Sequence, residues 1–363
     1  MPQPIAENKK ISPFLVYYLI IGMQIGIGIL GYQRIIAKDA GYDAWVSVVL
    51  AGLTIHIHVW MMYKILETVD GDLFKVHQYI FGKMFGKIVS SIFIFYFCLY
   101  ATAVLRAFVE VIQVWVFPDL NIFWFSFAFL FLCIYIVFGG FRTVTGIAFF
   151  GTVLPVYLIF IFAYALPYCD ISNIQPVMDH SIKGLLMAYF HMSLTYTGFE
   201  TLLFVYPFIK DPQKSKKWAH MSVLTTTIIY TGLAVITFAY FSERQLQETI
   251  WPTLNIWKIV EMPFVERFEY IGIANWNLIV LPNVCISLWI ASRLMKQIFN
   301  FKQKKGVIVL SLICLIASSL VITRMDINNL SDLFGKMSFA VNSIYIPCLF
   351  IAVMIAKRVK KHA

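Results

Sequence analysis

Long apolar stretches recur along the whole sequence, and each is close to the roughly 20 residues that cross a bilayer as an α-helix. Inside a bilayer the backbone must satisfy its own hydrogen bonds, so such stretches fold as helices packed side by side. Hydropathy predicts about ten spans, at residues 12–33, 43–65, 85–115, 121–139, 145–166, 183–207, 217–241, 268–293, 306–323 and 337–356. We therefore predict an all-α membrane protein.

The composition leaves little room for a soluble domain. Of the 363 residues, 60% are hydrophobic and only 13% are charged, whereas soluble chains carry about 25% charged residues. We predict a single transmembrane domain over residues 1–363. The sequence offers no ordered set of nucleophile, base and orienting residue, and its six Cys follow no disulfide or zinc spacing. It therefore predicts neither an enzyme nor a metal site or cofactor.

The basic excess indicates the orientation of the chain. The formal net charge is +10, and most of the 29 Lys and Arg residues lie in the segments on one side of the predicted spans, together with both termini. Because positively charged loops stay inside, both termini are predicted to be cytoplasmic. Residues 1–11 are polar, and the apolar run after them is too long for a cleaved signal, so we expect it to remain as a span. The charge indicates contact with lipid headgroups of the bilayer and no nucleic-acid partner.

Two of the predicted spans are interrupted by glycine near their middle. The first contains Gly26-Ile27-Gly28, and the sixth contains Gly198 among hydroxyl residues, followed by Glu200. The interruptions lie at matching places in the two halves of the chain, a pattern typical of transporter-type binding sites. Close packing between helices is the alternative explanation of a Gly-x-Gly pair.

A helix that unwinds inside the membrane makes backbone N–H and C=O groups available to a ligand. The N-terminus of the following half-helix favours an anion such as a carboxylate, and the C-terminal end of the preceding half favours an ammonium group. A zwitterionic amino acid fits both requirements. We therefore predict a small-molecule site at mid-membrane, with Tyr100, Leu194, Tyr196 and Asn283 as candidates for its side-chain pocket.

Three ionisable residues within the spans are candidates for coupling or gating, because burying such a group is costly and usually serves a function. Arg106 and Glu110 are four residues apart on the third span and share a helical face. They form a candidate gate or proton relay, and an ion pair that neutralises itself is the alternative. Glu200 is a candidate protonatable switch or a cap for N–H groups freed by the break. Two lone polar residues, Gln24 and His191, are predicted to make interhelical contacts.

The interrupted spans resemble the two broken-helix motifs of the amino acid–polyamine–organocation transporter superfamily. A closer resemblance, along nearly the whole chain, is to the spore-germination permease-like family and its B subunits of spore germinant receptors. Three motifs carry it in order: Gly82-Lys83-Met84-Phe85-Gly86-Lys87; Tyr206-Pro207-Phe208-Ile209-Lys210 with Pro212, Lys214 and Lys217; and Trp251-Pro252-Thr253-Leu254 with Pro263, Glu266-Arg267 and Trp276.

The resemblance implies a fold of two inverted five-helix repeats, about residues 12–166 and 183–356, with helices 1 and 6 broken. It implies a location in the inner membrane of a bacterial spore. It also implies a small germinant as the ligand, often an amino acid, and the A and C subunits of a germinant receptor as partners.

The family pattern also implies where the ligand binds, which is against Gly26, Ile27, Gly28, Thr197 and Gly198. In one respect the sequence departs from several proton-coupled relatives in the superfamily, which have a lysine in the fifth span. The fifth predicted span contains no Lys, so the resemblance does not extend to proton coupling by that route.

Two functions of different classes are consistent with this sequence. The first is a receptor subunit that binds a germinant between the two broken helices and signals through its partner subunits. The second is a secondary amino-acid transporter that alternates access to the same site, with Glu200 or the Arg106–Glu110 pair supplying the coupling. An ion or water pathway gated by the ligand is a third.

Overall fold

The protein is an all-helical bundle in the computed structural model, which describes residues 5–261 and 266–362. Pro263 of the third sequence motif lies outside the described residues. The α-helices, in chain order, are α1 (Leu15–Gln24), α2 (Tyr32–Ala40), α3 (Ala44–Val69), α4 (Leu73–Trp115), α5 (Ile122–Phe138), α6 (Phe141–Val153), α7 (Tyr157–Phe160), α8 (Ile182–Thr195), α9 (Leu202–Val205), α10 (Lys216–Tyr240), α11 (Glu243–Glu248), α12 (Pro252–Trp257), α13 (Phe268–Phe299), α14 (Gln303–Leu320), α15 (Arg324–Phe339) and α16 (Ile346–His362).

The helices reproduce the predicted number of spans. Among the described residues, 7 helical stretches are long and apolar enough to cross a membrane. Three shorter apolar helical stretches, Leu15–Gln24, Ile122–Phe138 and Phe199–Phe208, supply the rest of the predicted set of about ten. The predicted fold class is confirmed. The division into repeats at residues 12–166 and 183–356 stays a prediction.

The first and sixth spans are each built from two half-helices. The first runs through α1 and then, after a non-helical stretch, through a short 3₁₀ turn (Gly28–Leu30) into α2. The sixth runs through α8, loses helical geometry at Gly198, and resumes at Phe199 with a 3₁₀ turn before α9. Both interruptions coincide with the glycines that predicted them.

The third span is preceded by a turn at the membrane surface. Helix α4 is 43 residues long, but Gly82 within it has φ +77°, which breaks the helix direction. The part before Gly82 folds back, and the backbone of Gln78 would lie 2.9 Å from a Cβ atom on Gly86. The side chains of Met84 and Phe85 beside the turn are 74% and 64% exposed, as expected for a segment against lipid.

The last span begins earlier than the sequence predicted. Hydropathy placed it at 337–356, but α15 begins at Arg324, where a capping box joins Thr323 and Asp326. The prediction was wrong here because the first turns of α15 carry charged and amide side chains, which a hydropathy window counts as loop. A π-helical segment over residues 340–345 connects α15 to α16.

Helix α13 forms the centre of the bundle, since 83% of its apolar 18-residue segment is buried. It packs against α4, α5, α6 and α14. The two termini lie on one face: Lys360 donates a hydrogen bond to the carbonyl of Tyr79, and Ile11 pairs with the chain just after the sixth span. We call this the terminal face, and the other the opposite face.

Candidate functional site

The first break leaves four carbonyl groups without helical partners, and side chains from three other helices cap them. Asn283 Nδ2, on α13, donates to the carbonyls of Gly22 and Ile25. Tyr100 Oη, on α4, donates to the carbonyl of Met23 at 2.9 Å. Tyr230 Oη, on α10, donates to the carbonyl of Gln24 at 2.7 Å. These caps satisfy the C-terminal end of α1 within the protein and stabilise the unwound geometry.

The N–H groups on the other side of the same break are left open. The backbone N–H groups of Gly26, Ile27 and Gly28 have no acceptor among the residues the structure describes. They lead into the 3₁₀ turn and α2, so they form the N-terminal end of the second half-helix. Unpaired N–H groups at such an end attract a negative charge. The break therefore presents these donors to a ligand, whereas the carbonyls at the end of α1 are capped.

The second break contacts the first directly. Gly198 has φ +124°, and a Cβ atom there would lie 2.7 Å from the backbone of Met23. Gln24 Nε2 donates to the carbonyl of Tyr196 at 3.1 Å. Only glycine fits both the backbone conformation and this close approach. The two unwound segments thus form one structural unit.

Glu200 belongs to the second break. Its Oε2 accepts the N–H of Gly198 at 2.8 Å, and its Oε1 accepts the hydroxyl of Tyr96 at 2.6 Å. The side chain is buried and does not line the cavity described next. Glu200 therefore sits where it can hold the geometry of the break, which was one of the two roles its position suggested. Its role as a protonatable switch stays a prediction.

A cavity of about 500 Å³ lies beside both breaks. This volume falls within the range of small-molecule sites, roughly 300–1,000 Å³. The cavity runs from the breaks toward the opposite face, where Arg34, Lys38 and Trp251 line it. Of the residues predicted from the sequence, its lining includes Gly26, Ile27, Gly28, Tyr100, Leu194, Thr197, Asn283 and Glu110.

Four of the predicted site residues lie outside this lining. Tyr196 is fully buried, and its ring packs edge-on against Tyr230 at 5.0 Å. Gly198 packs on the first break, and Glu200 and Arg106 bond to protein groups. These four residues hold the helix segments that form the cavity wall, although their own side chains do not line it.

Helix α15 contributes a cavity wall that hydropathy did not identify. Asn328, Ser331 and Asp332 line the cavity. Gly335 allows α15 to pack closely against α8, because a Cβ atom on it would lie 3.0 Å from a methyl group of Leu194. The capping-box spacing of Thr323 and Asp326 was the available sequence signal for this helix.

The ion pair between Arg106 and Glu110, which was the alternative to a gate or proton relay, is not formed, because each residue has another partner. Arg106 is buried and donates through Nη2 to the carbonyl of Ile322 at 3.1 Å, in the turn between α14 and α15. Glu110 instead pairs with Arg324 at 2.5 Å, across the cavity from α4 to α15. Both partners of this ion pair line the cavity, so the pair ties its two walls together.

Replacing Arg324 by Met is expected to weaken the fold by about 1–3 kcal/mol, because it leaves the Glu110 carboxylate, whose side chain is only 10% exposed, without its cation. The Arg324 side chain is 43% exposed. We expect faster exchange of ligand because the cavity walls are no longer tied, and the matched variant Glu110→Gln should behave alike. Thermal unfolding and ligand dissociation rates of both variants measure this. An unchanged ligand dissociation rate in both variants would contradict it.

His191 and Gln24 make the interhelical contacts that were predicted for them. His191 Nδ1 lies 2.6 Å from Oδ2 of Asp39, which connects α8 to α2 beside the cavity. Gln24 uses its amide nitrogen in the contact with the second break, but its Oε1 has no donor among the described residues. Gln24 also lines the cavity, so this unpartnered oxygen belongs to a residue of the cavity wall.

A second polar cluster lies outside the spans, at the opposite face. Asp43 accepts the N–H groups of Met178, Asp179 and His180, and the His180 ring at 3.0 Å. Burial alone would lower the pKa of His180, but Asp43 and Asp179 raise it above its ordinary value. The cluster clamps the loop before α8 onto the start of α3.

The clamp is expected to be strongest in mildly acidic solution. The contribution of His180 is complete below about 6.5 and is lost as pH rises through its raised pKa. Amides of residues 177–181 should therefore exchange more slowly near pH 5.5 than near pH 8.5, after correction for intrinsic rates, because these values lie about 1 below and about 2 above the ordinary histidine pKa of about 6.5. Equal protection at both, or an unchanged difference in Asp43→Asn, would contradict this.

Comparison with solved structures identifies the class of protein. The chain superposes on a Na⁺-coupled sialic acid symporter in its substrate-bound outward-open state, with a TM-score of 0.68 and 13% identity, covering 96% of this chain and 79% of that one. It also superposes on MhsT in complex with L-phenylalanine, with a TM-score of 0.63 and 14% identity, covering 94% and 87%. The chain is thus a multi-pass membrane protein with a transporter fold.

The sequence comparisons identify the family. The spore germination protein family model matches residues 10–327. The spore germination protein GerQB of Bacillus cereus is 42% identical over 342 residues, which cover 94% of this chain and 95% of that protein. Spore germination protein B2 of Bacillus subtilis is 25% identical, over 90% of this chain and 89% of that protein. The chain belongs to the spore germination protein family, and the resemblance seen in its motifs is confirmed.

Proposed function

We propose that this protein is the B subunit of a spore germinant receptor and that it binds a small carboxylate germinant, an amino acid, in the cavity between the two breaks. One observation carries the choice of ligand: Gly26, Ile27 and Gly28, whose N–H groups are open, line a cavity beside the break, and the carbonyls at the end of α1 are capped. Open backbone N–H groups at the N-terminal end of a half-helix favour a negatively charged group such as a carboxylate.

The same cavity offers an acceptor for the ammonium group. Because the α1 carbonyls are occupied by side chains, the C-terminal end of α1 is not free for this role. The unpartnered Oε1 of Gln24 is close in sequence to the open N–H groups and lines the same wall. We assign the carboxylate to Gly26–Gly28 and the ammonium to Gln24, with Asn328 and Ser331 facing the rest of the ligand.

Signalling requires that the ligand bind one conformation better than another. The ligand would join the first break to the α8 and α15 walls, and the Glu110–Arg324 pair would act as the gate on the side of the opposite face. The A and C subunits of the receptor would read the altered surface. The protein would lie in the inner membrane of the spore, with both termini in the cytoplasm, as the charge distribution predicts.

The test is to disrupt the gene in its host, prepare spores and follow the fall in optical density after adding single amino acids, sugars or nucleosides. We expect the response to one compound to vanish while the others persist. If every response is intact, the receptor assignment fails.

A secondary amino-acid transporter is the second candidate, and the fold shared with the sodium-coupled symporter favours it. Flux of a radiolabelled amino acid into vesicles that contain the purified protein separates the two. Concentrative uptake by the isolated chain would support transport, whereas saturable binding without uptake would support the receptor.

A further inference from the structure

A second cavity, of about 280 Å³, lies on the other side of the first break, and we call it the lipid-side cavity. It is enclosed by α1, α6, α7, α10, α12 and α13, and it reaches the break at Gly22 and Ile25. Its walls are mostly aliphatic. The hydroxyls of Thr152 and Thr225 in its lining donate to carbonyls of their own helices at 2.9 Å, so they are already satisfied.

Two indoles at one end of this cavity have unused donors. Trp257 on α12 and Trp276 on α13 are 0% and 4% exposed, and both line the cavity. Their ring centroids are 5.6 Å apart. Neither Nε1–H group has an acceptor among the residues the structure describes. A buried donor without an acceptor costs free energy, so an oxygen atom of a ligand near these two rings would be stabilised.

The rim of the cavity faces lipid. Ile228 on α10 is 63% exposed, and Val156 and Ile159 on the fifth span are 45% and 38% exposed. The indoles lie toward the opposite face, since α12 belongs to the connection between the seventh and eighth spans. The cavity therefore has its donors near the membrane interface and its aliphatic walls toward the middle of the bilayer.

We propose that the lipid-side cavity binds an alkyl chain that carries an acceptor oxygen at one end. The oxygen accepts from Trp257 or Trp276, and the chain lies along the aliphatic walls toward Gly22 and Ile25. The volume is almost twice that of the roughly 150 Å³ apolar cavity that holds a benzene ring, which leaves room for a linear chain. The chain can come from a membrane lipid ester or from a free long-chain alcohol. This site is distinct from the germinant cavity, and its test does not depend on the proposed function.

The indoles themselves report occupancy, because bromine quenches tryptophan fluorescence on contact. The full chain carrying Trp60→Phe and Trp124→Phe serves as the parent, since those indoles are 47% and 65% exposed to lipid. One variant adds Gly232→Phe at the cavity, where a Cβ would meet no atom within 4 Å. The matched control adds Gly146→Phe, which is equally unobstructed and lies outside the cavity lining.

Each protein is placed in vesicles of phosphatidylcholine whose acyl chains carry bromine on the carbon next to the ester, or in unbrominated vesicles titrated with 2-bromoundecanol. We expect the parent and the Gly146→Phe control to be quenched more strongly than Gly232→Phe, and Trp276→Phe to lose part of the difference. A difference with brominated lipid assigns the chain to a membrane lipid, and a saturable difference with the bromoalcohol alone assigns it to a free amphiphile. Equal quenching of parent and Gly232→Phe in both experiments, with unchanged circular dichroism, would overturn the proposal.

Discussion

Gly198→Ala is expected to abolish the germinant response and to lower the thermal stability of the protein. The backbone at Gly198 has φ +124°, and a Cβ would lie 2.7 Å from the backbone of Met23. A strained conformation of this kind costs about 1–3 kcal/mol for a residue other than glycine. Overpacking against a fixed backbone adds about 1–3 kcal/mol. Relief of either cost would push the two breaks apart and displace the Gly26–Gly28 donors.

The measurement is the unfolding temperature of the purified variant, together with the germinant dose response of spores that carry it. About 1.4 kcal/mol corresponds to a tenfold change in affinity, so we expect the dose response to shift by more than tenfold or to be lost. Gly146→Ala is the matched control, because its Cβ would meet no atom within 4 Å. That change within a helix should be neutral or stabilising by about 0.5–1 kcal/mol. A normal response from Gly198→Ala would contradict the contact between the breaks.

Asn283→Leu is expected to have the second largest effect. Its Nδ2 caps the carbonyls of Gly22 and Ile25, and its Oδ1 accepts the hydroxyl of Tyr100 at 2.8 Å. Leucine has a similar volume but leaves the two carbonyls without this donor, whereas the Tyr100 hydroxyl keeps the carbonyl of Met23 as its acceptor. Each buried group left unsatisfied costs about 1–3 kcal/mol. The first break should then rewind or shift, and germinant binding should fall by more than tenfold.

Ser287→Ala provides the control for Asn283→Leu on the same helix. Ser287 Oγ donates only to the carbonyl of Asn283 at 2.7 Å, within α13. Loss of such a local bond should cost about 1 kcal/mol or less. Ligand binding to both purified variants tests the difference. If the two variants bind equally well, Asn283 does not hold the break.

The sequence was sufficient to predict the breaks but not what stabilises them. Gly26, Gly28 and Gly198 mark the breaks because glycines at matching places in two halves are visible in one sequence. Tyr230, which caps one of the freed carbonyls, gave no signal, because a tyrosine on an apolar helix has the same pattern whether it packs or caps. Tyr100 and Asn283 were predicted as pocket residues, and the structure adds that they cap the break.

Ionisable residues were harder to interpret than glycines. The spacing of Arg106 and Glu110 establishes only that they share a face of α4, whereas their partners come from the turn after α14 and from α15. Those partners lie more than 200 residues away in sequence. Hydropathy also missed the first turns of α15, because a helix with a polar side facing a cavity has the composition of a loop.

We propose that the N–H groups of Gly26, Ile27 and Gly28 hold the carboxylate of the germinant. The most direct measurement is the unfolding temperature of the purified full chain with each standard L-amino acid and then, for the one that stabilises it, with the methyl ester of that amino acid. We predict that the acid raises the unfolding temperature and that the ester, which lacks the negative charge, does not. Equal stabilisation by acid and ester would contradict a carboxylate site at this break.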